Sequence, residues 1–147
     1  MLAIIPAVGE ELIFRGCLQK IFGRWIGNYH LAIWITAIIF SAIHFQFYGF
    51  MPRMLLGALF GYLLVWSGSL WLPILAHFMN NGVAVVTAYV FQLQGKPLDL
   101  MFESDLASQP VFIASIAALA VLLWYFYNYT LKLKGINREI SDGSRLG

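Results

Sequence analysis

Four places in this 147-residue chain have residue types and spacings that can do chemistry: Glu10 and Glu11 with Arg15, then His44, then His77 with Asn81, and His30 at a segment edge. The first three lie within apolar runs, where an ionisable side chain is costly and by default faces a bundle interior or a wet cavity. On a helix Glu11 and Arg15 are four apart and share a face, so they can pair and lower the cost of carrying either in lipid. Glu10 points about 100° away and has no such local partner. A carboxylate in that position is protonated, solvated in a cavity, or partnered from another helix. His44 follows Phe40 by one helical turn, and His77 and Asn81 share a helical face, which sets an imidazole and a carboxamide at adjacent heights.

Each place also has a plainer reading. The glutamates can sit at a wet helix end, His44 in a core, and His77 with Asn81 in interhelical hydrogen bonds worth about 0.6 kcal/mol in membranes. A carboxylate, a histidine and a histidine–amide pair on three separate helices of so short a chain are harder to dismiss together. Such a set can activate a water by general base, with Glu10 and His44 polarising it, and stabilise an oxyanion through His77 and Asn81. It can equally hold a divalent metal, since Glu10, His44 and His77 match a catalytic zinc ligand set, although the HExxH helix motif is absent. His30, beside Tyr29, reads as interfacial, and Asn80 points about 100° from Asn81, free to cap or to bond between helices.

The elements that must position these residues follow from composition. The chain is 61% hydrophobic and only 11% charged, with a mean hydropathy of +0.77; a soluble domain carries roughly 25% charged residues. The apolar residues fall in runs of about 16 to 23, long enough to cross a hydrocarbon core as helices. Five segments are expected: about Leu2 to Phe22, about His30 to Phe47, Arg53 to about Trp66, about Pro73 to Leu93, and about Pro110 to Leu131. The fold class is therefore all-α, a multi-pass transmembrane bundle. Gly27-Asn28 reads as a turn, Gly57 and Gly61 have the small-xxx-small spacing that lets helices approach, and Pro73 suits a first helical turn. Residues 1–131 form the membrane core; 132–147, with Lys132, Lys134, Arg138 and Arg145, form a basic tail. The loop from Gln94 to Gln109 is the other aqueous stretch.

Counting basic residues on alternate sides puts the tail and the Lys20–Arg24 turn in the cytoplasm. The lipid bilayer is the dominant partner. A net charge of +2 with scattered Lys and Arg offers no nucleic-acid footprint. The single cysteine, Cys17, allows no intrachain disulfide. Met1 leads into Leu2-Ala3-Ile4-Ile5 with no basic region ahead of the apolar stretch, unlike a secretory signal peptide. Charged residues so close to Met1 suggest that upstream helices are missing.

The motifs resemble those of the CPBP (CAAX protease and bacteriocin-processing, or Abi) intramembrane proteases, which include type II CAAX prenyl endopeptidases. EExxxR is met by Glu10, Glu11 and Arg15, in the fuller form EExxFRG; FxxxH by Phe40 and His44; HxxxN by His77 and Asn81. Each motif alone is weak, and three in order on apolar helices are specific. The resemblance covers about Ile4 to Val90. It implies a glutamate-type intramembrane endopeptidase of the bacterial cytoplasmic membrane, with Glu10 and His44 activating water and His77 and Asn81 forming the oxyanion site. Glu11, Arg15 and Phe40 would support the site. The substrate would be a peptide or lipidated protein, and the resemblance favours no metal, with zinc as the alternative. Such proteins usually carry membrane helices ahead of the EExxxR helix.

Two expectations follow for the fold. Counting about 1.5 Å per residue, Glu10 and His44 lie nearer the outer side and His77 nearer the inner. They meet only if the fourth helix begins inside the bilayer, with Ser69-Leu70-Trp71-Leu72 as non-helical backbone facing a cavity. Two further functions compete with proteolysis: a non-catalytic scaffold or self-immunity protein that keeps the motif residues structurally, and an ion or proton pathway. The pathway needs polar residues continuing through the bundle, and the third and fifth helices supply almost none.

Overall fold

In the computed structural model, which describes residues 1, 3–95 and 110–143, every regular element is a helix and no strand occurs among the described residues. Five helical runs stand where five apolar segments were expected. The first comprises α1 (Ile4–Glu11), a π-helical segment (Leu12–Leu18) and α2 (Gln19–Ile26) in unbroken succession; α3 (Tyr29–Ala42), α4 (Phe50–Ser67), α5 (Trp71–Leu93) and α6 (Pro110–Gly143) follow. By length and composition α4, α5 and the Ile116–Gly135 part of α6 can cross a membrane, and α3 is a shorter apolar helix.

Local chemistry sets the boundaries. Gly27 ends α2 at φ 68°, a left-handed conformation that costs glycine little, and Asn28 caps α3 by accepting from the amides of His30 at 2.9 Å and Leu31 at 3.2 Å. Gly68, at φ 70°, ends α4 in the same way. Pro6, Pro52 and Pro73 each stand third in their helix, within the first turn, where the missing N–H has no intrahelical partner to lose. Pro52 therefore opens α4 instead of separating two segments, and α4 starts three residues earlier than hydropathy suggests. The expected break before α5 is shorter than four residues: Ser69 and Leu70 lie outside the helix, while Trp71 and Leu72 are helical.

The chain divides into two compact units, Met1–Gly95 and Lys96–Gly147. In the first, α3 packs most extensively on α4, with α2 against α3, and α1 and α4 against α5. Its interior is small and polar. Ile33, Ala37 and Ala58 form the apolar core, with Met54, Tyr62 and Val65 packed on it, while Glu11, Arg15, Gln19, Thr36, Ser41 and His77 are all buried. Apart from Ile33, Leu63 and the phenylalanines Phe14, Phe40 and Phe60, which are buried, many large apolar side chains face outward, Trp25 and Trp71 each more than three-quarters exposed. That inversion is what lipid demands, because hydrocarbon solvates Leu and Trp as well as a core does and leaves small residues and hydrogen bonds to join helices. In the second unit α6 runs on through Lys132 and Lys134 to Gly143, so the basic stretch expected as a tail begins as helix. Residues 96–109, most of the expected aqueous loop, and 144–147 lie outside the described residues.

Candidate active site

The first helical run brings Glu11, Arg15 and Gln19 onto one buried face. Steps of four residues advance about 40° each in an α-helix, so three such residues would drift off a common face. The wider turn of the π segment, a feature often found at functional sites, accompanies the burial of all three. Arg15 is fully enclosed. Its Nη1 donates to Glu11 Oε1 at 2.9 Å and its Nη2 to the Gly57 carbonyl at 2.8 Å. One turn further along both helices, Gln19 Nε2 donates to the Gly61 carbonyl at 3.2 Å. The two glycines are why the helices can close to this distance: a Cβ at Gly57 would stand 3.2 Å from Arg15 Nη2 and from Phe40, and one at Gly61 would stand 2.8 Å from Gln19 Oε1 and 2.9 Å from Ile33.

Aromatic rings wall the guanidinium. Its carbon lies 4.7 Å from the Phe40 ring centroid, 5.4 Å from that of Phe60 and 5.9 Å from that of Phe14, distances at which a cation is attracted to a ring face. Phe14 meets Phe40 edge to face at 5.1 Å. Phe40, singled out in the sequence only for its spacing from His44, is thus shared between the arginine and both histidines.

His77 reaches this cluster from α5. Its Nδ1 lies 2.8 Å from Glu11 Oε1 and its Nε2 lies 3.8 Å from Glu10 Oε2. A carboxylate only accepts, so Nδ1 is the donor and Nε2 is the nitrogen turned to Glu10. The carboxylate without a local partner is therefore approached from another helix, by His77 Nε2 at 3.8 Å, while its side chain stays 28% exposed. Because α4 and α5 run antiparallel about the short Gly68–Leu70 turn, His77 on α5 comes level with Phe60 on α4, their rings stacked at 5.1 Å and 22°. It is this placement, nine residues past Gly68, that resolves the apparent difference in depth between His77 and Glu10.

His44 lies just past the end of α3. Its Nδ1 donates to the Phe40 carbonyl at 2.8 Å, which leaves Nε2 as the nitrogen outside that bond. Among the described residues no hydrogen bond or ion pair joins His44 to Glu10, and Nε2 has no partner; His44 and His77 instead touch the same ring, with centroids 5.2 and 5.9 Å from that of Phe40. Asn81 is one turn beyond His77 and half-buried. Its Oδ1 accepts weakly from Asn80 Nδ2 at 3.4 Å, and its own amide donors have no partner among the described residues. His30 is remote in chemistry, its Nδ1 2.9 Å from the Tyr62 hydroxyl.

Among the described residues no three His, Cys, Asp or Glu side chains are grouped to hold an ion. The Nδ1 atoms of both histidines are committed, to the Phe40 carbonyl and to Glu11, which leaves each Nε2 as the nitrogen that could meet water, a substrate or a metal. Sequence spacing missed Gln19, Phe60 and the two glycine carbonyls. Gln19 left a signal, a polar residue four past Arg15 in an apolar segment; Phe60, one of 12 phenylalanines, left none.

A membrane protein whose bundle encloses two glutamates, an arginine and a histidine from distant helices is the class that fold and site define. Residues 1–83, which contain every one of these side chains, match the family described as type II CAAX prenyl endopeptidase Rce1-like, and the chain belongs to that family of proteases. The chain is 31% identical over 86 residues to the uncharacterised protein YpbD of Bacillus subtilis (strain 168), a match that covers 56% of this chain. It spans about two fifths (41%) of that relative's length. No solved structure matches.

Proposed function

We propose that the protein is an intramembrane endopeptidase that hydrolyses a peptide bond in a membrane-associated or prenylated, CAAX-type protein or peptide. The observation that carries this reading is His77 lying between the two glutamates, bonded to Glu11 and facing Glu10, within a chain of this family. Glu10, with a side chain 28% exposed, is the carboxylate open to water; Glu11 is closed off. In the reaction Glu10 takes a proton from the attacking water while the lone pair of His44 Nε2 polarises it. The hydroxide adds to the scissile carbonyl, and the oxyanion is met by the amide of Asn81 and by His77. With Nδ1–H committed to Glu11, His77 can donate from Nε2 only when that nitrogen also carries a proton, and Glu10 is the group beside it that passes one. Collapse of the oxyanion breaks the scissile C–N bond, and the proton leaves on the departing amine, so the peptide gains one water and nothing else changes.

The reading routes no step through a metal. It also places the basic end of the chain on the cytoplasmic face, by the excess of Lys and Arg there. The test is cleavage of a fluorogenic prenylated CAAX peptide and of a pooled membrane-peptide library by the whole protein in detergent, with and without chelator. Cleavage that survives chelation and is lost in Glu10→Ala is expected. Loss on chelation with recovery on adding zinc would overturn the metal-free mechanism. No cleavage of any peptide, with Glu10→Ala still active in its biological setting, would leave a non-catalytic scaffold as the function.

A further inference from the structure

Phe60 belongs to none of the motifs, yet among the described residues its ring is the only one stacked face to face on a histidine of the site. It is 2% exposed at the centre of α4, between the two glycines whose carbonyls hold Arg15 and Gln19, so its place is fixed by the same seam. We propose that Phe60 is a positioning residue for the peptidase reaction, acting through His77 and not on the substrate. This rests on the function proposed above.

The argument is geometric. The Nδ1 bond to Glu11 and the stack on Phe60 together set the turn of the imidazole about the bond that joins it to Cβ, an angle that is otherwise broadly distributed. A swing about that axis would carry Nε2 away from Glu10, to which it already stands at 3.8 Å, beyond hydrogen-bond length. Two flat walls oppose the swing. Phe60 lies against the imidazole face at 22° and Phe40 meets it edge-on, at 89° and 5.9 Å. An aliphatic side chain of similar volume in place of Phe60 would fill the space and leave only the Nδ1 bond and Phe40 to oppose the turn. Phe60 also borders Arg15, and so does Phe14, which has no contact with His77; the pair separates loss of positioning from loss of packing.

The experiment compares Phe60→Leu, Phe60→Tyr and Phe14→Leu in the whole protein, using the prenylated CAAX peptide that the parent cleaves. Phe60→Leu is expected to lower kcat by about 10- to 100-fold, the scale of a small misplacement of a reacting group, while KM moves by less than about twofold because ground-state binding is untouched. Phe60→Tyr keeps the ring and restores kcat; Phe14→Leu lowers kcat by less than Phe60→Leu does. In isotope-labelled protein the His77 Hε1 resonance, shifted upfield by a stacked ring, moves downfield in Phe60→Leu alone. Equal kcat losses in Phe60→Leu and Phe14→Leu, or an unchanged kcat and resonance in Phe60→Leu, would overturn the inference while leaving the peptidase standing. A parent protein that cleaves nothing by Glu10 overturns the peptidase and this role with it.

Discussion

His77 and His44 each donate through Nδ1 at 2.8 Å, but to partners of different kinds. His77 gives its proton to a buried carboxylate 66 residues away in sequence, is stacked on Phe60 and faces a second carboxylate. His44 gives its proton to its own helix, at Phe40, and leaves Nε2 open beside an exposed loop in which Phe45 takes the left-handed φ of 51°. The difference separates a closed half of the site from an open one. In the closed half Glu11, Arg15 and Gln19 are locked to α4 and α5, and every substitution there is felt by the fold. In the open half Glu10, His44 and Asn81 keep groups that the fold does not use, which is where water and a scissile carbonyl can enter.

That contrast breaks first at Arg15. Replacing Arg15 by Met leaves Glu11 buried without its cation, a loss of about 3–5 kcal/mol; the unfolding midpoint in detergent should fall accordingly. An unchanged midpoint would mean that the seam does not hold the bundle. A smaller effect, about 1–3 kcal/mol, is expected from Gly61→Ala, whose Cβ would press on Gln19 and on the Ile33 side chain. The same readout applies, and a Gly61→Ala protein as stable as the parent would show that the close approach of α4 is not needed.

Much of this was legible in the sequence. The apolar runs announced the helices because lipid-facing residues need only be apolar, and the Glu11–Arg15 pair is a local i, i+4 contact. What hydropathy could not show was depth along each helix. That His77 meets Glu10 and Glu11 depends on how few residues the Gly68–Leu70 turn takes, and on Pro73 being accommodated inside α5. Nor could it show that His77 bonds Glu11 at 2.8 Å and only approaches Glu10, since which glutamate faces α5 depends on how the two helices pack. Phe60 was hidden for a different reason: in a chain this rich in phenylalanine, one ring that stacks on a histidine reads like any other lipid-facing or core residue.

The division between the halves is tested most directly by His44→Ala and His77→Ala, each assayed for prenylated-peptide cleavage and for unfolding midpoint in one detergent preparation. General-base assistance is worth about 10²- to 10⁴-fold. His44→Ala should therefore lose cleavage on that scale at an unchanged midpoint, whereas His77→Ala should lose cleavage and about 1–3 kcal/mol of stability with the bond to buried Glu11. Cleavage retained in His44→Ala, or equal destabilisation in both, would contradict the account.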